Sequence, residues 1–500
     1  MEIEVQKASK QNIKNIIFKF QEKEKVQVKQ RKTNINEKVY HTFSLPKKKA
    51  FHVQYSHIYF LRQEQLGLIL RERFLEDKQK FIAPNIVSIE PGQNVIAIGT
   101  LSKIMKLKPQ FVEQYDSVQQ KGINYCDPSD YLYLEDSSGK IKLEFDQNSF
   151  YYDLQNNQQL VNEQNLLTGI VCALVGQQNE ESGKFLVYQM IFKGLNDQNN
   201  DKFQIERPIF KNKNNNFKTI DQYINPQSED QFVAFVSGIN FCETNQFFPF
   251  LMLKNFLFGN DLNPKLTEFS KRIQKLVITG NLIKEPENLE EVTEGAYKID
   301  EEYTKLYQHI SNTMNYLDSQ LAELLEYIPI DIMPGPNDPS NQLYPQQQLN
   351  KCYFPKSYKY AGLNSLSNPC HIECNDVQMI GTGGQNIQDL KQYSNLGRDG
   401  DDLQIIENNI LWGHLAPTAP DSLNCYPFTK EKDVFVLEQI PHVYFVGNCQ
   451  KFGTKIIYDE KSERFCRIIA IPQFSQSQSI VLLNLKNLDT FQFNINEINI

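Results

Sequence analysis

The chain has 500 residues, 40% of them hydrophobic and 12% aromatic, which is enough for two packed domains and an extension. Its net charge of −8 argues against a large surface that follows nucleic-acid phosphates, so we expect little direct DNA binding. It shows neither a signal-peptide pattern nor a run of about eighteen apolar residues, which predicts a soluble protein without membrane contact. Nine scattered cysteines without a Cys-x-x-Cys pair favour a reducing compartment.

Residues 1–50 form a basic segment, with 13 Lys and Arg against 5 Asp and Glu. Because Lys, Gln and Asn dominate it and aromatic residues are few, we predict a partly disordered extension. The lysine run at 47–49 is typical either of a solvated loop or of a targeting or nucleic-acid-binding segment. Apolar residues then recur at helical spacing from Tyr55 to Phe74, which predicts one or two amphipathic helices, in the manner of a docking pair.

From residue 94 the hydrophobic period changes from that of a helix to that of a strand. Two hairpins are predicted, one turning at 136–139 and one at 181–183. Five or so short strands in about a hundred residues predict a Greek-key barrel of the OB type, in a domain spanning 51–205. Three aromatic residues on these strands either stack the bases of a single strand or belong to the core: Tyr131, Tyr133 and Phe185.

The remaining residues, 206–500, alternate predicted strands with helices, after a domain boundary near Glu206. A long helix is predicted from Leu306 to Leu324, where leucines and other apolar residues recur every three or four positions. Further strands are predicted after it, including the apolar stretch 403–412. The fold class expected is therefore α/β plus β, with an OB barrel packed on an α/β sandwich of two sheets flanked by helices.

A predicted strand ending at Met333 runs into a tight Gly/Pro-rich turn at 334–339, a position where open α/β sheets place their chemistry. The turn resembles that of the calcineurin-like phosphodiesterases, in which Asp, His and Asn side chains at several strand ends hold two metal ions. Here these strand ends carry mostly glycine, proline and amides, which implies an inactive phosphodiesterase domain without metal, cofactor or catalytic residue. The degenerate positions are Gly238, Asn240, Asn281, Pro336, Asn337, His414, Asn448 and Gln450.

Other patterns leave alternatives open. His414 is interpreted as a hydrogen-bonded core histidine, but an active metal-dependent phosphoesterase or exonuclease would use it with Asp331 and Asp338. The glycine-rich loop 381–386 is either a phosphate cradle or a backbone turn. Ser237 lacks the Gly-x-Ser-x-Gly setting of a nucleophile elbow. Three soft ligands, one short of a structural zinc site, lie close together in the sequence: Cys370, His371 and Cys374.

Several long blocks resemble, in the right order, the small (B) subunits of eukaryotic replicative DNA polymerases, over roughly residues 52–493. They include YSHIYFLR from Tyr55, DYLYLEDSSGKIKL from Asp130, IDIMPGPNDPSNQLYPQQ from Ile330 and HLAPTAPDSLNCYPF from His414. The amino-acid sequences of the last two blocks resemble those of the delta members of this family. The alpha and epsilon B subunits share the fold and remain the alternative.

This resemblance implies a non-catalytic scaffold that works in the nucleus, in DNA replication and repair. In that family the subunit holds the cysteine-rich C-terminal domain of the catalytic polymerase subunit and a third subunit, through which it is linked to the sliding clamp. The basic N-terminus and the Asn/Gln-rich inserts at 195–230 and 397–402 depart from the family pattern. The resemblance therefore does not identify contacts made through those segments, nor does it identify individual interface residues.

Overall fold

The computed structural model of the protein describes residues 35–46, 52–74, 81–109, 124–195, 223, 230–242, 248–259, 263–284, 296–397, 402–427, 432–459 and 463–497. The domain boundary expected near Glu206, the lysine run at 47–49 and residues 1–34 lie outside these ranges. Within them, no helix is both long and apolar enough to span a membrane.

The first group of elements contains one edge strand, one long helix and six barrel strands. In chain order they are β1 (Glu37–Tyr40), α1 (Ser56–Glu72), β2 (Asn94–Ile104), β3 (Tyr131–Glu135), β4 (Lys140–Tyr152), β5 (Gln158–Leu160), β6 (Val171–Gln178) and β7 (Phe185–Ile191). Strands β2 to β7 form one sheet in the order β3-β2-β6-β7-β4-β5, and an additional pairing of β3 with β4 closes it into a barrel.

The barrel confirms both predicted hairpins, β3–β4 and β6–β7, which are antiparallel. Side chains alternate along β3, so that Leu132 and Leu134 are buried inside while Tyr131 and Tyr133 point outward and are only partly buried. Phe185 is fully buried and belongs to the barrel core. Of the two alternatives for Phe185, base stacking and the core, the core is confirmed, because its strand turns that side chain inward.

Helix α1 is one continuous helix of 17 residues, so the expected pair of docking helices is corrected to a single one. Leu66 and Leu70 on its inner face pack against Ile96 and Ile98 of β2. Gly67 does not interrupt the helix, although a glycine at this point lowers its intrinsic stability. The helix is held by this packing and covers one side of the barrel.

The second group of elements follows the barrel in the chain. It comprises β8 (Phe232–Val236), α2 (Phe248–Phe258), α3 (Pro264–Ser270), β9 (Ile273–Thr279), α4 (Ala296–Leu325), β10 (Ile330–Met333), β11 (Leu363–Ser365), β12 (Cys370–Cys374), β13 (Val377–Thr382), α5 (Gln385–Tyr393), α6 (Asp402–Trp412), β14 (Val443–Cys449), β15 (Gly453–Asp459), β16 (Arg464–Pro472), α7 (Phe474–Ser477), β17 (Ser479–Asn484) and β18 (Thr490–Asn494). The long helix predicted from Leu306 is confirmed as part of α4.

These elements form two six-stranded sheets packed face to face. The first sheet has the order β11-β10-β9-β8-β17-β18, and the second has β1-β12-β13-β14-β16-β15. Phe235 of the first and Phe445 of the second meet between them with ring centroids 4.8 Å apart. Helices α2, α3 and α4 cover the outer face of the first sheet, and α5 and α6 lie between the second sheet and the barrel. The expected two-sheet arrangement flanked by helices is confirmed.

Residues 403–412, expected as a strand, lie in helix α6. Ile405, Ile406, Asn409 and Ile410 are buried, which is the spacing of one helix face and not of alternate strand positions. Over a few residues this apolar stretch fits the hydrophobic period of a strand as well as that of a helix. The helix forms because its buried face packs on β16 and β15.

Strand β1 lies within the basic segment 1–50 and was not predicted. It pairs antiparallel with β12 at the edge of the second sheet. Glu37 accepts hydrogen bonds from the buried ammonium of Lys275 and from Asn364 Nδ2, and Lys275 also pairs with the buried Asp331 at 2.7 Å. Phe43 follows the strand and is 2% exposed. These partners are remote in sequence, so local composition does not predict the strand.

A buried ion pair connects helix α1 to the second domain, which is the sandwich of two sheets and its helices. The Arg62 guanidinium, fully buried, donates from Nε to Asp433 Oδ2 at 2.9 Å. Its other nitrogens donate to the carbonyl oxygens of Gly169, Pro417 and Ala419. One side chain is therefore hydrogen-bonded to both the barrel and the second domain. A Cβ atom on Gly169 would lie 1.9 Å from the Pro417 oxygen, which shows how closely the two backbones approach.

Replacing Asp433 by Ala should lower the free energy of unfolding by about 3–5 kcal/mol, because Arg62 would be left charged and buried without its partner. Equilibrium urea unfolding of the full chain measures this. Lys432→Ala is the matched control, since Lys432 pairs with Glu438 in solvent and should change the same quantity by less than about 1 kcal/mol. Equal effects of the two substitutions would contradict the structural role of the buried pair.

Candidate functional site

The carboxyl ends of β8, β9, β10 and β14 meet at one edge of the sandwich. Seven of the eight predicted positions lie at these strand ends, and hydrogen bonds connect five of them directly or through a neighbouring residue. Backbone amide groups connect them: Gly238 N donates to Gly280 O, Asn240 N to Asn281 O and Asn337 N to Asn281 Oδ1. Asn448 N donates to Ser237 Oγ at 3.0 Å. We call this set the strand-end cluster: Gly238, Asn240, Asn281, Asn337 and Asn448.

The side-chain amide of Asn448 bridges the two sheets. Its Nδ2 donates to Thr279 O, at the end of β9, at 3.3 Å and to Gly383 O, after β13, at 2.8 Å. Both hydrogens of the amide are therefore used within the protein. Its Oδ1 packs against Gly238, where a Cβ atom would lie only 2.8 Å away. Asn448 is consequently a hydrogen-bonding link between the sheets through its Nδ2, while its buried Oδ1 accepts no hydrogen bond.

Three asparagines of the strand-end cluster have left-handed backbone conformations. The φ angles are 54° at Asn240, 53° at Asn281 and 57° at Asn448. Asparagine is one of the few residues other than glycine that adopts this region readily, because its short amide bonds locally. These positions therefore satisfy a requirement of the sharp turns at the strand ends, independently of any ligand.

The carboxylates proposed for an alternative metal site are separated and already bonded. Asp338 accepts hydrogen bonds from the backbone amides of Gly335, Leu282 and Ile283 at 2.7, 2.8 and 3.2 Å, and so closes the turn after β10. Burial raises the pKa of Asp338 to about 7, and these backbone hydrogen bonds oppose that shift. Asp331 lies on β10 and is paired with Lys275. The two carboxylates and His414 therefore do not form one site.

A second group of amides supports the strand-end cluster from the other side, and sequence reasoning missed it. Gln346 Nε2 donates to Gly335 O at 3.0 Å, and Gln346 Oε1 accepts from Asn368 at 3.0 Å and from Gln385 at 2.6 Å. Asn368 Oδ1 in turn accepts from Gly383 N at 2.9 Å. No spacing or motif joins these three residues in the sequence. Neutral amides become recognisable as a group only when the fold has brought them together.

Pro336, Gln450 and His414 complete the predicted positions. Pro336 and Gln450 are exposed, and the backbone amide of Gln450 donates to Asp402 Oδ2 at 2.9 Å. His414 is buried beside the interdomain ion pair: its Nε2 lies 3.0 Å from Asp433 Oδ2, and its Nδ1 accepts from Ala416 N at 3.1 Å. The interpretation of His414 as a hydrogen-bonded core histidine is thus confirmed by its contacts.

The remaining sequence candidates have structural roles where they are described. Cys370 and Cys374 lie four residues apart on β12, a separation of roughly 13 Å that one zinc ion does not span. Gly384, with φ 96°, begins helix α5, so the glycine-rich loop is a backbone turn in close contact with Gly447 O. Ser237 Oγ donates to the carbonyl oxygens at the end of β16. Among the described residues, no group of three or more His, Cys, Asp or Glu is placed to hold a metal ion.

Replacing His414 by Gln should flatten the pH dependence of stability in mild acid. Burial, and then the nearby Arg62, lower the pKa of His414 from 6.5 to about 4, although Asp433 opposes this. Protonation therefore favours the unfolded chain, and stability falls as the pH is lowered from about 6.5 towards 4, by up to about 3 kcal/mol for this group. Urea unfolding at a series of pH values should show a smaller loss for His414→Gln than for the wild type.

The exposed His57 on α1 provides the control for this measurement. His57→Gln should keep the wild-type pH dependence, because that ring is in solvent. Identical slopes for the wild type and His414→Gln would show that the His414 ring is not held neutral by its surroundings.

Comparison with known proteins agrees with the two-part architecture. A family model described as "DNA polymerase delta subunit OB-fold domain" matches residues 54–190, which confirms the OB type of the barrel. A second family model, that of the B subunit of DNA polymerases alpha and epsilon, matches residues 233–454.

Curated relatives match most of the chain. A "DNA polymerase delta small subunit" of Oryza sativa is 33% identical over 443 residues, covering 87% of this chain and 91% of the relative. Another of that name, from Saccharomyces cerevisiae, is 28% identical and covers 89% of each chain. A "DNA polymerase delta subunit 2" of Drosophila melanogaster is 29% identical, covering 80% of this chain and 83% of the relative. The chain therefore belongs to the family of DNA polymerase delta small subunits.

Proposed function

We propose that the protein is a non-catalytic scaffold subunit of a DNA polymerase delta complex. Its second domain is an inactive phosphodiesterase-like domain, and its surfaces hold the cysteine-rich C-terminal domain of the catalytic subunit together with a third subunit. Through that third subunit it is linked to the sliding clamp, and it works in the nucleus. The names of its relatives support a place in the polymerase complex.

The observation that carries the non-catalytic part of the proposal is the use of the strand-end cluster by the chain itself. Hydrolysis by two metal ions needs carboxylate, imidazole or similar ligands that are free to bind cations about 3.5–4 Å apart. At this edge Asn448 donates both amide hydrogens to backbone carbonyls, and Asp338 accepts three backbone amides. These hydrogen bonds stabilise the turns, and the strand-end cluster contributes glycine and amides in place of the carboxylate and imidazole ligands.

A scaffold must also keep its binding surfaces in a fixed relation, and the domain junction is built for that. Arg62 ties helix α1, the barrel and the second domain together in a site from which water is excluded. The core of the barrel continues into the side chains of α5 and α6. Because relative motion would break the buried ion pair, the two domains present their outer surfaces as one rigid unit.

Two measurements on the purified full chain test the proposal together. Co-expression with the C-terminal domain of the catalytic subunit should give a complex that co-elutes in gel filtration at moderate salt. The chain alone, assayed with manganese on a phosphodiester, on a phosphatase substrate and on single-stranded DNA, should show no turnover above the blank.

The variant His414→Ala identifies the source of any turnover, with His371→Ala on β12 as a matched histidine control. Turnover abolished by His414→Ala but kept by His371→Ala would overturn the non-catalytic assignment. Activity that survives both substitutions and co-elutes with the chain would assign the reaction to other residues and would equally overturn the non-catalytic assignment, whereas activity that separates from the chain in gel filtration belongs to a contaminating enzyme. Separate elution of the two polypeptides would overturn the scaffold role.

A further inference from the structure

The barrel sheet ends in a strand whose outer edge is unpaired. Strand β5 is the last strand of that sheet, and β4 is its neighbour on one side only. Because Val161 N donates to Ser149 O, the alternation of an antiparallel pair makes residues 159 and 161 face β4. The backbone N–H and C=O groups of Gln158 and Leu160 therefore point away from β4, and no described residue hydrogen-bonds to them there.

An apolar row leads to this edge on one face of the sheet. Phe150 and Tyr152 of β4 meet edge to face, with ring centroids 5.5 Å apart. Phe150 is directly opposite Leu160 in a pair without backbone hydrogen bonds, the kind of pair in which side chains lie closest. Tyr152 is 46% exposed and Leu160 is 66% exposed. Apolar side chains and unpaired backbone groups are therefore accessible side by side.

The composition of β5 leaves this edge open to another strand. Sheet edges in soluble proteins are usually protected by a charged residue, a proline, a bulge or a covering element. Strand β15, at the edge of the second sheet, follows this rule, since its Lys455 pairs with Glu407 of α6 at 2.8 Å. Strand β5 is short, but its residues are all exposed and include neither a charge nor a proline.

An acidic pocket of about 380 Å³ adjoins the carboxyl end of β5. Its lining includes Val161, the residue after the strand, together with the carboxylates of Asp130, Asp146 and Glu163. Burial raises the pKa of Glu163, although Lys103 opposes this shift, and no described residue donates a hydrogen bond to the Glu163 carboxylate. A cation in the pocket would therefore stabilise the charged form of Glu163.

The charges around the pocket favour a basic occupant. Asp127, next to a residue of the lining, lies 4.0 Å from the ammonium group of Lys106. With Asp127 included, four carboxylates stand against two ammonium groups, those of Lys106 and Lys103. Lys103 lies behind the lining, where its Nζ donates to Gln164 O and Tyr393 O at 3.2 Å each. The surface that faces solvent is therefore acidic.

From these features we infer that the edge of β5 binds an extended segment of another polypeptide, which adds to the barrel sheet as a further strand. The main chain of that segment hydrogen-bonds to Gln158 and Leu160. Apolar residues at alternate positions of the segment continue the row of Phe150 and Leu160, and a lysine or arginine beside them enters the acidic pocket. The inference goes beyond the scaffold role and does not depend on it.

A basic and apolar segment of another polypeptide fits this edge better than a second copy of the chain does. Strand β5 has no basic residue, so a second copy paired through it would bring no cation to the pocket. Such pairing would also join two chains that each carry a net charge of −8. The carboxylates of the pocket likewise repel the phosphates of a nucleic acid.

The test is fluorescence anisotropy of two labelled peptides of about ten residues, titrated with the purified full chain. Both peptides have valine at alternate positions with threonine between them. Two arginines end one peptide and begin the other, so that both strand directions are covered. At least one peptide should bind with a dissociation constant below about 1 mM.

Gln158→Pro should bind that peptide about tenfold more weakly than Gln158→Ala does. Both variants lose the same side chain, but only proline lacks the N–H, and its ring blocks the edge. Because this N–H points away from β4, the proline removes no hydrogen bond between β4 and β5. Thermal unfolding of each variant confirms that it is folded.

Two further measurements complete the test. Asp146→Asn with Glu163→Gln should weaken binding about threefold or more and reduce its dependence on salt, while Asn keeps the Oδ1 that accepts from Asn148 N. Saturating peptide should slow hydrogen exchange of segment 157–161 in the wild-type chain, a result that does not depend on any variant.

Absence of binding by both peptides at about 1 mM protein would overturn the inference. So would equal affinities of the Pro and Ala variants, or binding that leaves the exchange of segment 157–161 unchanged. Binding that is insensitive to the two charge substitutions would overturn the assignment of the acidic pocket to a basic residue.

Discussion

The amide of Asn448 joins the two sheets at the edge where their strands end, and the geometry of that edge depends on it. One hydrogen bond reaches the end of β9 in the first sheet and the other reaches the turn after β13 in the second. Around it, Asp338 closes the turn after β10, and Gln346 connects that turn to Asn368 and Gln385. Buried polar groups stabilise a structure through the hydrogen bonds that they make.

This arrangement explains how a strand edge suited to chemistry can serve a structural purpose. In a metal enzyme the strand ends are held in register partly by ions that several side chains share. Here neutral amides and one buried carboxylate hold the same kind of turns through hydrogen bonds. The left-handed conformations at Asn240, Asn281 and Asn448 give these turns their shape.

Local signals made much of the fold predictable. Both hairpins have alternating apolar residues around a polar turn, and α4 repeats leucines over many turns, so sequence period alone identifies them. Helix α6 was misread because its apolar run is short and fits either period. Strand β1 was missed because Glu37 finds its partner Lys275 238 residues away.

The sequence predicted most residues of the candidate site but not the hydrogen bonds that connect them. Reading the strand ends located seven positions that the fold brings to one edge, five of them connected by hydrogen bonds, since parallel strands place their carboxyl ends together. His414 was placed beside them by position in the sequence alone, whereas its ring lies against Asp433 and Arg62 at the domain junction. Gln346, Asn368 and Gln385 carry no signal in sequence, because amides bond in too many settings to be diagnostic.

Anomalous diffraction from crystals grown with manganese tests the central claim most directly. If the hydrogen bonds of the strand-end cluster have taken the place of metal ligands, no anomalous peak will lie within reach of Asn240, Asn281 or Asn448. Two manganese peaks about 3.5–4 Å apart at that edge would contradict the account, because such a pair is the arrangement that a working phosphodiesterase centre requires.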